Sequence, residues 1–170
     1  MKTTFIGIDK IGAYEDALNL HLSSVFEEPV NVEINEEFCC AVVIEDENKI
    51  VACGLGYSRK MLQGNIEFNA GIIGGLAVNI AYRGVGLCKK VMQQLDNYMV
   101  SNEFLYTFLL AYDSEIYLSS GYSNLLAPIH YFDIQTQIWN TFIYRGGMVK
   151  SYGLAQLHET QVVEFKGCVY

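Results

Sequence analysis

The apolar positions change their period several times along the chain, and each change marks an element. Residues 3–8 read as a short opening strand. Ile11, Tyr14, Leu18, Leu22 and Val25 then recur at helical spacing, with Glu15, Asp16 and Asn19 between them, which predicts an amphipathic helix over 11–26. Pro29 and the acids after it read as loop, with a short helix near 31–37. Apolar, β-prone runs at 38–44 and 50–57 flank a polar turn at 45–48 and predict a β-hairpin. The turn signal Gln63-Gly64-Asn65 leads into a long strand, 66–79. Inside it, Gly74-Gly75 marks a bulge or a close approach to the backbone, or else a glycine pair that relieves crowding in the core.

The period then changes from two to 3.6. Cys88, Val91, Met92, Leu95, Tyr98 and Met99 form one stripe, with lysines, glutamines, Asp96 and Asn97 opposite, so 85–101 is an amphipathic helix. A buried strand follows at 104–111. Asp113 is placed to cap a short helix, 114–119, that stops at Gly121. Further strands are expected at 123–133, 139–145 and 161–169. This order predicts an α+β fold with a mixed sheet. Without an internal repeat or a linker, residues 1–170 read as a single domain.

Composition narrows the classes. Hydrophobic residues make up 51% and charged residues 18%, which excludes a disordered chain. The net charge of −8 argues against a general nucleic-acid binder but not against a cationic partner. Residues 1–50 hold eleven acids against three bases, and the remaining residues balance, so the whole excess lies in the first third. The longest apolar and glycine run, 70–78, is nine residues, against the ~20 of a membrane helix. Asp9 and Lys10 interrupt the N-terminal apolar stretch before it could form a leader. The chain therefore reads as cytoplasmic, with no membrane partner. Five cysteines suit that compartment, and no Cys/His spacing fits a metal, so none is expected. The hydrophobic content is compatible with a homodimer.

The chemistry concentrates at residues 78–88, where a strand runs through a glycine-bearing loop into a helix. The free N–H groups of a first helical turn and its dipole attract anions there. Gly84 and Gly86 let a phosphate approach the backbone, and Arg83, Lys89 and Lys90 add positive charge. The plainer alternative is a strand–helix turn with a basic rim. A dinucleotide fingerprint fails at Lys89, a P-loop fails at Gly86-Leu87-Cys88, and a hydrolase elbow fails because Tyr117 stands where Ser119 would need a glycine.

Arg83-Gly84-Val85-Gly86-Leu87-Cys88 resembles the Gln/Arg-x-x-Gly-x-Gly/Ala signature of the GNAT superfamily, the acyl-CoA-dependent N-acyltransferases, and departs from it only at Cys88. Leu76-Ala77-Val78 resembles the end of that family's fourth strand. Ile116-Tyr117-Leu118-Ser119-Ser120-Gly121-Tyr122 resembles its second signature. The resemblance covers about 3–145. It implies a mixed, mostly antiparallel sheet flanked by helices, with a splayed strand pair holding the acyl-CoA. It also implies that Arg83, Gly84, Val85, Gly86, Leu87 and Cys88 hold the pyrophosphate of acetyl-CoA, and that Leu76 and Val78 meet the pantetheine arm through their main chains. Tyr117 would protonate the departing thiolate, a task that suits a group with an ordinary pKa of ~10. For Tyr117 the alternative is a core aromatic.

The resemblance further implies an acetyl transfer to a primary amine by direct attack in a ternary complex. Glu27, Glu28 and Glu33 would line the acceptor side and favour a cationic small molecule, although a solvated acidic loop explains them as well. The strand at 66–79 lacks the carboxylate that some members use as base, with Ile72 and Gly74 at the corresponding positions and Glu67 further up. That gap favours the alternative of a non-catalytic acyl-CoA-binding or regulatory protein on the same fold. Cys88, at a helix N-terminus beside basic residues, is expected to be an acidified, modifiable thiol or else a buried small residue. His130 and Asp133, three apart on a strand, fall on opposite faces and are not expected to pair.

Overall fold

Strand β1 (Lys2–Gly7) pairs antiparallel with β2 (Phe38–Asp46), and β2 pairs antiparallel with β3 (Lys49–Gln63) around the expected polar turn. In the computed structural model, which describes residues 1–170, the chain divides into two compact units. The first comprises Met1–Tyr57 and Gly74–Tyr98, and the second Ser58–Ile73 and Met99–Tyr170. The fold is mixed α+β with mostly antiparallel pairing; the parallel ladders are β4 (Ile66–Val78) on β5 (Tyr106–Leu110) and β10 (Val163–Glu164) on β7 (Ile129–Asp133).

In the first unit, the predicted helix over 11–26 resolves into a 3₁₀ turn, Ile11–Ala13, and α1 (Glu15–Phe26). Leu18, His21 and Leu22 are the buried face of α1. The helix ends where Glu27 takes a left-handed conformation, φ 59°. No helix forms near 31–37. Side chains of α1 hold that loop instead: Asn19 Oδ1 accepts from Val32 N at 2.7 Å, and Ser23 Oγ accepts from Val30 N at 2.9 Å. The α2 helix (Leu87–Ser101) presses on β3 at Gly54, where a Cβ would lie 2.7 Å from Val91 Cγ1 and 3.1 Å from Leu95 Cδ1. The expected irregularity at Gly74-Gly75 is present. Gly75 has φ +54°, and a Cβ there would meet Leu55 Cδ1 at 2.8 Å.

In the second unit, α3 (Glu115–Leu118) is a single turn whose N-cap is Ser114 rather than the expected Asp113; Ser114 makes no capping bond, and Asp113 Oδ1, one residue ahead, accepts from Glu115 N at 3.1 Å. The strand expected at 123–133 breaks into β6 (Ser123–Asn124) and β7, and β8 (Ile138–Phe142) returns antiparallel to β7. A strand missed by periodicity, β9 (Gly147–Ser151), pairs with both β5 and β6. β10 is two residues long where 161–169 was expected, and it pairs with the far half of β3. Phe108 and Phe165, both fully buried, meet edge to face at 5.0 Å in this unit's core.

Candidate functional site

The strand–loop–helix segment of the first unit joins β4 to α2 through a loop with two exposed glycines. Val78 ends β4, a 3₁₀ turn covers Ile80–Tyr82, and Asn79 caps that turn by accepting from Ala81 N at 3.0 Å. Tyr82 donates its hydroxyl to Asp46 Oδ2 at 3.0 Å, fastening the turn to the β2–β3 connection; this bond pushes the tyrosine pKa up. Gly84 and Gly86 both take left-handed backbone, φ +79° and +83°, which an L side chain adopts only under strain. A Cβ at either position would meet nothing within 4 Å, so the space beside both glycines is open. Gly86 O accepts from Lys90 N at 3.1 Å, the first bond of α2. The N–H groups of Leu87, Cys88 and Lys89 therefore have no intrahelical acceptor. Arg83, Val85, Lys89 and Lys90 are exposed around them, and Leu87 is buried as the hydrophobic anchor of the turn.

The strand leading in presents its backbone in two directions. Asn79 N donates to Val51 O on β3 at 2.9 Å, so Ala77 and Asn79 face β3. By alternation, Leu76 and Val78 turn their main-chain groups to the opposite edge. Val78 O is already used there: Arg83 Nε donates to it at 3.1 Å. What Val78 offers a ligand is therefore its N–H rather than both groups, and Arg83 serves first as a tether between loop and strand.

His21 was not singled out by the sequence, although it extends the buried stripe of Leu18 and Leu22. Its ring lies against the carbonyls of Ala77, at 3.4 Å, and Ile50, and burial lowers its pKa. It fixes α1 to the β4 segment beside Leu76 and Val78.

Several other expectations are corrected or sharpened. Cys88 is half buried, and burial pushes its thiol up, which fits the small-residue alternative and not the acidified thiol. Ile72 is buried, at 1% exposure, and Gly74 has no side chain, so β4 supplies no base at those positions. Hydrogen bonds from Lys166 (3.0 Å) and Lys60 (3.2 Å) hold the Glu67 carboxyl below the usual range, which makes it a poorer base. Glu27, Glu28 and Glu33 are exposed, and none forms an ion pair with Arg83, Lys89 or Lys90. His130 pairs with Glu164, Nδ1 to Oε2 at 2.5 Å, and not with Asp133, which caps its own turn at Gln135 N and Thr136 N.

Tyr117 belongs to the second unit. It is half buried on α3, and its carbonyl accepts from Ser120 N and Tyr122 N at 3.0 and 3.4 Å. Nowhere do three His, Cys, Asp or Glu side chains gather as a metal site would require, and no helix is long and apolar enough to cross a membrane.

The family described as Acetyltransferase (GNAT) domain matches residues 14–125. The fold is similar to a GNAT family N-acetyltransferase (YhbS) from Escherichia coli in complex with CoA, with TM-score 0.69, 14% identity, and 96% of this chain and 89% of that chain covered. A GNAT family acetyltransferase from Brucella melitensis in complex with acetyl-CoA gives TM-score 0.64 and 12% identity, over 95% and 94% of the two chains. A protein from Enterococcus faecalis V583, described as a probable N-acyltransferase, gives TM-score 0.60 and 12% identity. Of that protein this chain spans only 32%, while 73% of this chain is covered. No curated protein matches the chain. At these identities the structural likenesses carry the fold alone.

Proposed function

The chain belongs to the family of GNAT acetyltransferase domains, and from that premise we propose that it transfers an acetyl group from acetyl-CoA to the primary amine of a cationic small molecule. The observation that carries this reading is the open cradle at Gly84 and Gly86, directly ahead of the free N–H groups of Leu87, Cys88 and Lys89. Backbone donors aimed outward at a helix N-terminus suit a pyrophosphate, and a glycine-lined approach admits it. Arg83, Lys89 and Lys90 supply exposed positive charge, and the N–H of Val78 is the donor on the β4 edge suited to polarising a thioester carbonyl.

Acetyl-CoA contributes an activated acyl group. In the reading adopted here, the chain holds the two reactants together, which supplies much of the acceleration. Tyr117 gives its proton to the departing thiolate, an assignment that rests on the family resemblance. The acidic first third, with Glu27, Glu28 and Glu33, raises the local concentration of a cation. The second reading is a non-catalytic acyl-CoA-binding protein, favoured by a β4 strand with no carboxylate at positions 72 and 74 and by a Glu67 committed to two lysines.

Release of free thiol from acetyl-CoA against a panel of anionic, neutral and cationic amines, at two salt concentrations, separates the readings. Turnover is expected with cationic amines, with KM rising as salt screens the field and on charge reversal at Glu27, Glu28 and Glu33. Tight acetyl-CoA binding without thiol release from any amine selects the non-catalytic reading. An anionic best substrate excludes the cationic acceptor.

A further inference from the structure

The turn that carries Tyr117 is held from a distance by a lysine on β9. Lys150 Nζ donates to Ser120 O at 2.7 Å. The ammonium lies 5.7 Å from the ring centroid of Tyr122 and 5.6 Å from that of Tyr152, so two π faces bound its position. Tyr152 is fixed in turn, because its hydroxyl accepts from Thr107 Oγ1 on β5 at 3.0 Å. Tyr122 is buried, at 3% exposure. All of these groups belong to the second unit.

Ser120 is therefore held at both ends of its backbone. Its N–H donates to Tyr117 O at 3.0 Å, and its carbonyl receives the lysine. Gly121, in left-handed backbone at φ +85°, lets the chain turn under the lysine, whose Cε lies 3.4 Å from where a Cβ would be. Tyr122 N then returns to Tyr117 O at 3.4 Å. A single helical turn such as α3 has few bonds of its own to fix the direction of its side chains. A methionine could fill the same aromatic sandwich, but it could not donate to Ser120 O. Ordering a half-buried lysine gives up rotamer entropy that packing alone would not require.

We infer that Lys150 is a positioning residue for Tyr117: it locks the Ser120 carbonyl so that the turn presents the Tyr117 hydroxyl in one direction. This rests on the proposed role of Tyr117 as proton donor to the thiolate. The step itself is unchanged, with the Tyr117 proton passing to the departing sulfur and returning from solvent.

The experiment compares Lys150→Met, Lys150→Arg, Tyr117→Phe and the double variant Tyr117→Phe/Lys150→Met, using acetyl-CoA and a reactive amine from the panel. Lys150→Met is expected to lower kcat ~10- to 100-fold, the range for a misplaced reacting group, with the KM for acetyl-CoA within about twofold. Lys150→Arg, which keeps the donor and stacks on aromatic rings, should restore most of the rate. In the Tyr117→Phe background, Lys150→Met should have no further effect, because the two act through one group. Tyr117 ring resonances, identified by their loss in Tyr117→Phe, should be sharp in the parent protein and broadened in Lys150→Met, a readout that needs no turnover. If Lys150→Met fails to fold, Tyr152→Leu removes one wall of the sandwich and should act in the same direction, again only when Tyr117 is present.

An unchanged kcat with unchanged ring resonances in Lys150→Met overturns the inference. So does a Lys150→Met effect of equal size with and without Tyr117. A Tyr117→Phe enzyme within threefold of the parent instead defeats the Tyr117 assignment, and this inference with it.

Discussion

Replacing Gly86 by alanine separates two accounts of why glycine stands there. On a steric account the substitution is harmless, because a Cβ at Gly86 meets no atom within 4 Å. On a backbone account it is not, because φ is +83° and an L residue in the left-handed region is disfavoured by ~1–2 kcal/mol. That strain has two outlets. If the loop keeps its shape, the strain appears as lost stability. If φ relaxes to negative values, the N–H groups of Leu87 and Cys88 change direction, and on the proposed reading the strain appears as lost acetyl-CoA affinity. A penalty of ~1–2 kcal/mol is a factor of about 5–30 in an equilibrium constant, so the two losses together should fall in that range. Urea unfolding and calorimetric titration with acetyl-CoA measure them separately. Gly153→Ala is the control, since that position is equally open and is not left-handed; it should stay within ~0.5 kcal/mol of the parent. Gly84→Ala, at φ +79°, should behave like Gly86→Ala. A Gly86→Ala protein indistinguishable from Gly153→Ala in both unfolding midpoint and acetyl-CoA affinity would refute the reasoning, and with it the claim that this loop's conformation makes the cradle.

Burial lowers the His21 pKa, so the unfolded chain binds the proton more readily; stability is present above ~6.5 and falls as pH drops through that value, with a slope of up to ~1.4 kcal/mol per unit for this one group. His21→Gln should flatten that slope between pH 7 and 5 in urea unfolding; an unchanged slope would remove His21 as its source. Gly54→Ala brings a Cβ to 2.7 Å from Val91 Cγ1 and should lower stability by ~1–3 kcal/mol as overpacking does, as read from the urea midpoint, whereas a neutral result would mean that α2 shifts freely on β3. Cys88, whose thiol burial pushes up, should alkylate more slowly at neutral pH than an unhindered thiol; rapid labelling mapped by mass spectrometry would return it to the acidified reading.

Where pattern and packing agree, the sequence was readable. The α2 stripe of Val91, Met92, Leu95 and Met99 is wholly buried, and the β2–β3 hairpin has apolar strands around a polar turn. The glycines of the loop, singled out for close approach to the backbone, stand at 84 and 86 for a local reason as well, since both take left-handed backbone that few other residues tolerate. Failures occur where a distant partner decides. Ser58-Arg59-Lys60 looks like the end of a hairpin, yet β3 continues to Gln63, where β10 pairs with it at Leu62 and Gln63. No strand is expected between 145 and 161, yet β9 begins at Gly147 because β5 accepts it as a neighbour. The loop near 31–37 stays non-helical because Asn19 and Ser23 satisfy its backbone. Within the candidate site, the Arg83 tether to Val78 O and the Lys150 bond to Ser120 O depend on side-chain direction, which spacing does not encode.

On the proposed reading, the departure from the family at β4 has a kinetic consequence. The leaving group has a proton donor assigned in Tyr117, but the attacking amine has no base at Ile72 or Gly74, and two lysines make Glu67 a weaker one. A cation drawn in by the acidic first third arrives protonated, and the same field that attracts it keeps it so. The reactive fraction is then set by the amine's own pKa. At pH 7 an amine near 10.4 is neutral in only about one molecule in a few thousand, whereas one near 8 is neutral in about one in ten. Between two amines of equal charge and size, the less basic one should therefore have kcat/KM higher by up to ~10²-fold at pH 7. The advantage should shrink as pH rises toward 10, and the rate should climb without an enzyme inflection between pH 6 and 7. The comparison needs only thiol release from acetyl-CoA with the two amines across pH 6–10. Equal kcat/KM values at pH 7, or a break near pH 6–7 common to both amines, would show that the chain does supply a base, with the carboxylates of the first third as the candidates.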